Sequence, residues 1–100
     1  MDATLALTGL IEEFNSLVGA EDFDGAEQLA ASAMGRDLRS DSYLHYQLGR
    51  MYTQWNKLTS AINHLTKAAE LAKSGGDELF VLQVVEELKL AKNRQLKQAP

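Results

Sequence analysis

The stretch LGRMYTQWNKLTSAINHLTKA, residues 48–68, decides the fold of this 100-residue chain. Its apolar residues Leu48, Met51, Tyr52 and Trp55 fall three and four apart, the spacing of one face of an α-helix. After Asn56 the pattern restarts, with Leu58, Ala61, Ile62, Leu65 and Ala68 on a second stripe. Asparagine tolerates the left-handed backbone region better than most residues, so Asn56 marks a turn between two helices.

Working outward, the same arrangement recurs. A slide of 35 positions lays Leu17 on Tyr52, Phe23 on Leu58, Ala26 on Ala61 and Ala33 on Ala68. A fixed period of that size marks a helical repeat array, in which each unit buries its apolar face only against a neighbour. The periodicity predicts five helices and no strand. The first covers 3–18 behind an Asp2 cap and is closed by Gly19. The second covers 22–34, with Gly35 in the left-handed position past its end and 36–41 as a connecting loop. The third covers 42–55 after a cap at Asp41 or Ser40, and the fourth 58–73, stopped by Ser74, Gly75 and Gly76. Asp77 caps the fifth, which runs to about Leu96. Trp55 is expected to pack on the turn near Leu58.

Leu48, Gly49 and Tyr52, followed by Leu58, Ala61, Leu65 and Ala68, resemble the tetratricopeptide repeat pattern of small and large positions. The resemblance implies that Gly49 in the first helix stands opposite Ala61 in the second, so the two approach closely with leucine and tyrosine filling the layer between them. The segment from Leu10 to Arg39 resembles a degenerate first copy, with Leu17, Asp22, Phe23, Ala26, Ala30 and Ala33 in register. Glu13 and Phe14 stand where the family has a leucine and a small residue, so the aromatic must be housed elsewhere, over Ala30 and Ala33. The second copy departs at His45 and Lys73, where a bulky residue and a proline are usual. The resemblance implies an all-α single domain over 1–100: antiparallel hairpins at 3–39 and 42–74, with a capping helix at 77–97.

The family's first helices line a concave groove that takes an extended peptide or a partner helix. Carried onto matching positions, that groove would be lined by Ile11, Glu12, Asn15, Tyr43, Tyr46, Gln47, Arg50 and Gln54. Tyrosines suit recognition because they bring contact area at low entropy cost, and Arg50, Gln47 and Asn15 supply hydrogen bonds. The carboxylate clamp that some members aim at chaperone tails is not reproduced. Asn15 alone fits, Gln47 is a weak substitute, and Ile11, Asp77 and Val81 occupy the remaining positions. Acidic chaperone tails are therefore not the expected ligand.

The fifth helix carries Phe80, Val81, Val84, Val85, Leu88 and Ala91 over an arc of about 140°, wider than the ~100° of a one-sided surface helix. Leu79, Leu82 and Leu90 fall outside that arc. A second reading therefore stands beside groove binding: self-association through this helix around Leu79, Leu82 and Val85, giving a homodimer that supplies burial two repeats lack.

Charge excludes other classes. The net charge is −4, with nine acids and two bases in 1–41 but four of each in 77–100. A pI near 5.0 and the lack of aromatics after Phe80 argue against nucleic-acid binding, and Lys89, Lys92, Arg94 and Lys97 suit the negative end of the fifth helix. No run approaches the ~18 apolar residues of a membrane span, and no base precedes the apolar residues of 1–10 as in a secretory leader. A cytoplasmic location is the expectation. The chain has no cysteine, hence no disulfide or thiolate. His45 and His64 fall on different helices without an acidic ligand beside either, so no metal or other cofactor is expected. Glu12 with Glu13, and Glu86 with Glu87, point about 100° apart on a helix and make no acid–base pair. Gly75 and Gly76 lack the lysine and strand of a phosphate loop. The sequence predicts a non-enzymatic protein-interaction module.

Overall fold

Five helices form: α1 (Ala3–Gly19), α2 (Phe23–Ala33), α3 (Leu38–Gln54), α4 (Leu58–Ser74) and α5 (Glu78–Gln98). The structure is a computed structural model that describes residues 3–98, and no strand occurs among them. The expected Asp2 cap lies outside the described residues. Phe14, Val18, Ala26, Ala30 and Ala33 share a core, so the aromatic of the first hairpin is housed among the small residues of α2.

Three of the four turns are one device. At the end of α1, Glu21 is left-handed (φ 60°), and the N–H of Asp22 reaches back to the Leu17 carbonyl at 2.8 Å. At the end of α3, Asn56 is left-handed (φ 62°), and the N–H of Lys57 reaches the Tyr52 carbonyl, also at 2.8 Å. At the end of α4, Gly76 (φ 74°) and the Asp77-to-Ala72 bond at 3.0 Å do the same. A left-handed residue with a six-to-one bond behind it satisfies carbonyls that a helix end would otherwise leave open. Glu21 and Asn56 stand 35 positions apart, so the period seen in the apolar stripe is also a backbone period.

The turn before α3 differs, and it corrects the expected loop over 36–41. Asp37, not Asp41 or Ser40, caps α3: its carboxylate accepts the Ser40 N–H at 2.8 Å and the Ser40 hydroxyl at 3.0 Å. The helix therefore starts at Leu38, four residues earlier than the apolar pattern predicts. Asp41 instead accepts the N–H of Gly35 at 2.8 Å, holding that residue's left-handed backbone (φ 89°). Asp22 caps α2 through Gly25 N–H, and Asp77 accepts Phe80 N–H at 3.2 Å at the start of α5, as expected.

Two cores share α3 as a common wall. Its Leu44, Leu48 and Met51 close on Phe14, Val18 and the alanines of α2, whereas Tyr46 faces Ala61, Leu65 and Ala68 of α4 and Phe80 and Val84 of α5. The α3–α4 contact is the tightest. A methyl added to Gly49 would collide with Leu65 Cγ and lie 2.6 Å from its Cδ2 and 3.3 Å from the Ala61 carbonyl oxygen. Two turns away, the buried Ser42 hydroxyl donates to the Ala68 carbonyl at 3.1 Å. Trp55 packs on its own turn, with Lys57 Nζ 3.5 Å from its ring centroid, and also stacks on Phe23 of the neighbouring hairpin, centroids 4.8 Å apart.

Gly49→Ala should cost about 1–3 kcal/mol by overpacking, although alanine in place of a mid-helix glycine ordinarily gains about 0.5–1 kcal/mol. Ala61→Leu, at a fully buried position, should cost about as much. Urea unfolding checks both, and wild-type midpoints would mean that the helix spacing is set elsewhere.

Candidate partner-binding site

The face formed by α1, α3 and α5 carries two adjoining clefts. The first, about 350 Å³, lies between α1 and the start of α3 and is lined by Leu7, Thr8, Ile11, Glu12, Asp37, Arg39, Ser40 and Tyr43. The second, about 380 Å³, lies between the start of α3 and the α4–α5 turn, with Leu38, Ser42, Leu71, Ala72, Gly75, Asp77 and Phe80 in its wall. Asp37, Arg39 and Tyr43 line both, so they form the ridge between them.

The ridge is rigid for local reasons. The Asp37 carboxylate is fixed by Ser40, whose N–H and hydroxyl hold its pKa below the ordinary carboxylate value, so it is ionised. Tyr43 lies against Phe80, centroids 4.3 Å apart, with the Arg39 guanidinium 6.0 Å from its ring centroid. A cation over an aromatic face is attracted by the ring quadrupole yet keeps its hydrogen-bond donors free. Each cleft thus offers apolar wall, and the crest between them offers one guanidinium and one carboxylate.

Of the residues expected to line a groove, Ile11, Glu12 and Tyr43 come together at the first cleft. Asn15 and Gln54 are exposed but line neither cleft. Tyr46 and Gln47 correct the expectation, since both are buried: Tyr46 stands edge-on to Phe80 at 5.2 Å, and its hydroxyl accepts from Gln83 Nε2 at 3.1 Å. Tyr46 thus serves the α3–α5 packing, and neither side chain presents surface to a ligand. Arg50 is exposed, 5.8 Å from the Tyr46 ring centroid. Asp37, Arg39 and Ser40 were missed because the first turn of α3 reads as loop in the apolar pattern. The Asp-x-x-Ser spacing of a helix cap was the available signal.

The two histidines, on different helices as expected, meet across the α3–α4 contact. His45 Nδ1 and His64 Nδ1 are 2.9 Å from each other, with the rings stacked at 5.2 Å, so one imidazole donates its Nδ1–H to the bare nitrogen of the other. Tyr52 stacks on His64 at 5.3 Å and shares a cleft of about 400 Å³ with His64 and Glu27. Burial, then the Glu27 carboxylate, pushes the Tyr52 hydroxyl up to about 12. No group of three or more His, Cys, Asp or Glu side chains is placed to hold a metal ion among the described residues. Likewise, no helix among them is long and apolar enough to cross a membrane. The chain matches no known protein-family model, no curated protein and no solved structure.

Both histidines have pKa values below the ordinary one. Burial is the main cause for each, reinforced at His45 by His64 and Lys67 against the pull of Asp41, and opposed at His64 by Glu27. The folded state then binds fewer protons than the unfolded chain just below about pH 6.5, so stability present above that pH is lost as pH falls. Urea midpoints measured between about pH 7.5 and 5.5 should drop more steeply for wild type than for a His45→Gln, His64→Gln variant. Equal slopes would show that the pair does not titrate on unfolding.

Proposed function

We propose that the chain is a tetratricopeptide-like interaction module that holds a short segment of a partner protein across the two clefts of the α1–α3–α5 face. The observation that carries this reading is the shared ridge of Asp37, Arg39 and Tyr43 between two apolar-walled hollows. A segment with an apolar side chain for each hollow would straddle it. Arg39 would then donate to a backbone carbonyl or carboxylate between those side chains, and Asp37 would accept from an N–H or a cation. The tight helix crossing at Gly49 and the 35-residue recurrence of the turns support the repeat assignment. In this reading the chain needs no cofactor, metal or nucleic acid, performs no catalysis and works in the cytoplasm.

Peptides selected from a random display library on the folded protein would test it. Arg39 is exposed, so Arg39→Glu should leave the thermal melt unchanged. It should weaken the selected peptides by about tenfold to a hundredfold, the worth of one charge-assisted hydrogen bond of about 1.5–3 kcal/mol. Ile11→Asp should act in the same direction. Peptides that bind both variants as well as wild type would remove the clefts from consideration.

A further inference from the structure

Among the described residues, the outward face of α5 is left exposed. At about 100° per residue, Leu79, Leu82, Glu86, Lys89, Asn93 and Leu96 fall within an arc of about 100°, opposite the buried Phe80, Val84 and Ala91. Leu79, Leu82 and Leu96 are 82%, 64% and 73% exposed, and Leu90, on the rim of the arc, is 59% exposed. The six positions are separated by steps of three, four, three, four and three, the spacing of a coiled-coil seam.

We propose that this seam pairs with the same seam of a second copy, antiparallel, about a twofold axis between Glu86 and Lys89. The choice of occupant rests on how the seam reads from its two ends. About that midpoint Leu79 falls opposite Leu96 of the second copy, Leu82 opposite Asn93, and Glu86 opposite Lys89. A surface that complements its own reverse is what an isologous twofold contact requires. Charge says the same: the acids of α5, Glu78, Glu86 and Glu87, all precede its bases, Lys89, Lys92, Arg94 and Lys97. Antiparallel copies set acidic half against basic half at both ends, whereas parallel copies set like against like. The exposed Glu86–Lys89 pair, 3.4 Å apart within one helix, becomes a four-membered network across the axis. Val85, expected at the centre of such a contact, is half-buried and stands at the edge of this seam. This association is independent of cleft binding, since the seam lies on the side of α5 away from Phe80.

Analytical ultracentrifugation of the whole chain from about 5 to 500 μM should show a reversible dimer of the weak class expected for one helix pair with a polar centre. Leu82→Glu should raise the dissociation constant at least tenfold. Glu86→Lys and Lys89→Glu should each do so alone, and an equimolar mixture of these two variants should associate again. The chain has no cysteine, so orientation is read directly: Leu79→Cys mixed with Leu96→Cys should form the mixed disulfide, with little bridging in either alone. A monomer across the range, a dimer indifferent to both Leu82→Glu and Lys89→Glu, or disulfides joining position 79 to position 79 would overturn the proposal.

Discussion

The absence of one side chain sets the spacing of this molecule. With no Cβ at Gly49, Leu65 lies against the α3 backbone and the Ala61 carbonyl comes within contact range of it. Everything C-terminal depends on that approach. Because α4 sits close, the Ser42 hydroxyl reaches the Ala68 carbonyl, and His45 comes into hydrogen-bond range of His64. Because α4 then holds α5 at a fixed offset from α3, Phe80 meets both Tyr43 and Tyr46. A close-packed interior transmits such a constraint because it has no slack to absorb it.

The helices, their number and three of their four turns were legible in the sequence, because apolar spacing and left-handed residues are local properties. Asn56 and Gly35 take the backbone their residue types favour. Glu21 takes the same conformation without favouring it, held there by the bonds to Leu17 and Val18, and only the 35-residue comparison with Asn56 could have revealed it. What stayed hidden is how residues on separate helices meet. The start of α3 depends on the Asp37 carboxylate, a polar signal invisible to an apolar pattern. Tyr46 and Tyr43 are equivalent by type, yet α5 covers the first and leaves the second half-exposed at the cleft. Trp55 packs on its own turn through Lys57, but its stacking on Phe23, from the equivalent turn of the other hairpin, could not be read from one helix alone.

The same logic explains why the candidate site sits where it does. Cleft walls arise where helices of unequal length and register leave gaps, here at the early start of α3 beside α1 and beside the α4–α5 turn. The opposite end of α5 is held by hydrogen bonds instead. Arg94 donates to the Thr53 carbonyl at 3.0 Å, Gln95 to the Thr59 hydroxyl at 3.2 Å, and Gln98 to the Asn56 side chain at 2.9 Å, fastening the last turns of α5 over the α3–α4 turn. One end of the module is therefore fastened by polar contacts, and the other carries the clefts.

Because α3 is the wall shared by both cores, the chain holds two units of unequal robustness. The α3–α4–α5 unit has the tight crossing and the fastened end, whereas α1 and α2 meet α3 through one cluster rich in alanine. Partial opening should therefore begin with α1 and α2 detaching together, since each completes the other's core. That opened form would lose the first cleft and keep the second. A partner filling both would act as a clasp on the folding equilibrium, slowing amide exchange in α2, which lines neither cleft, as much as in α1.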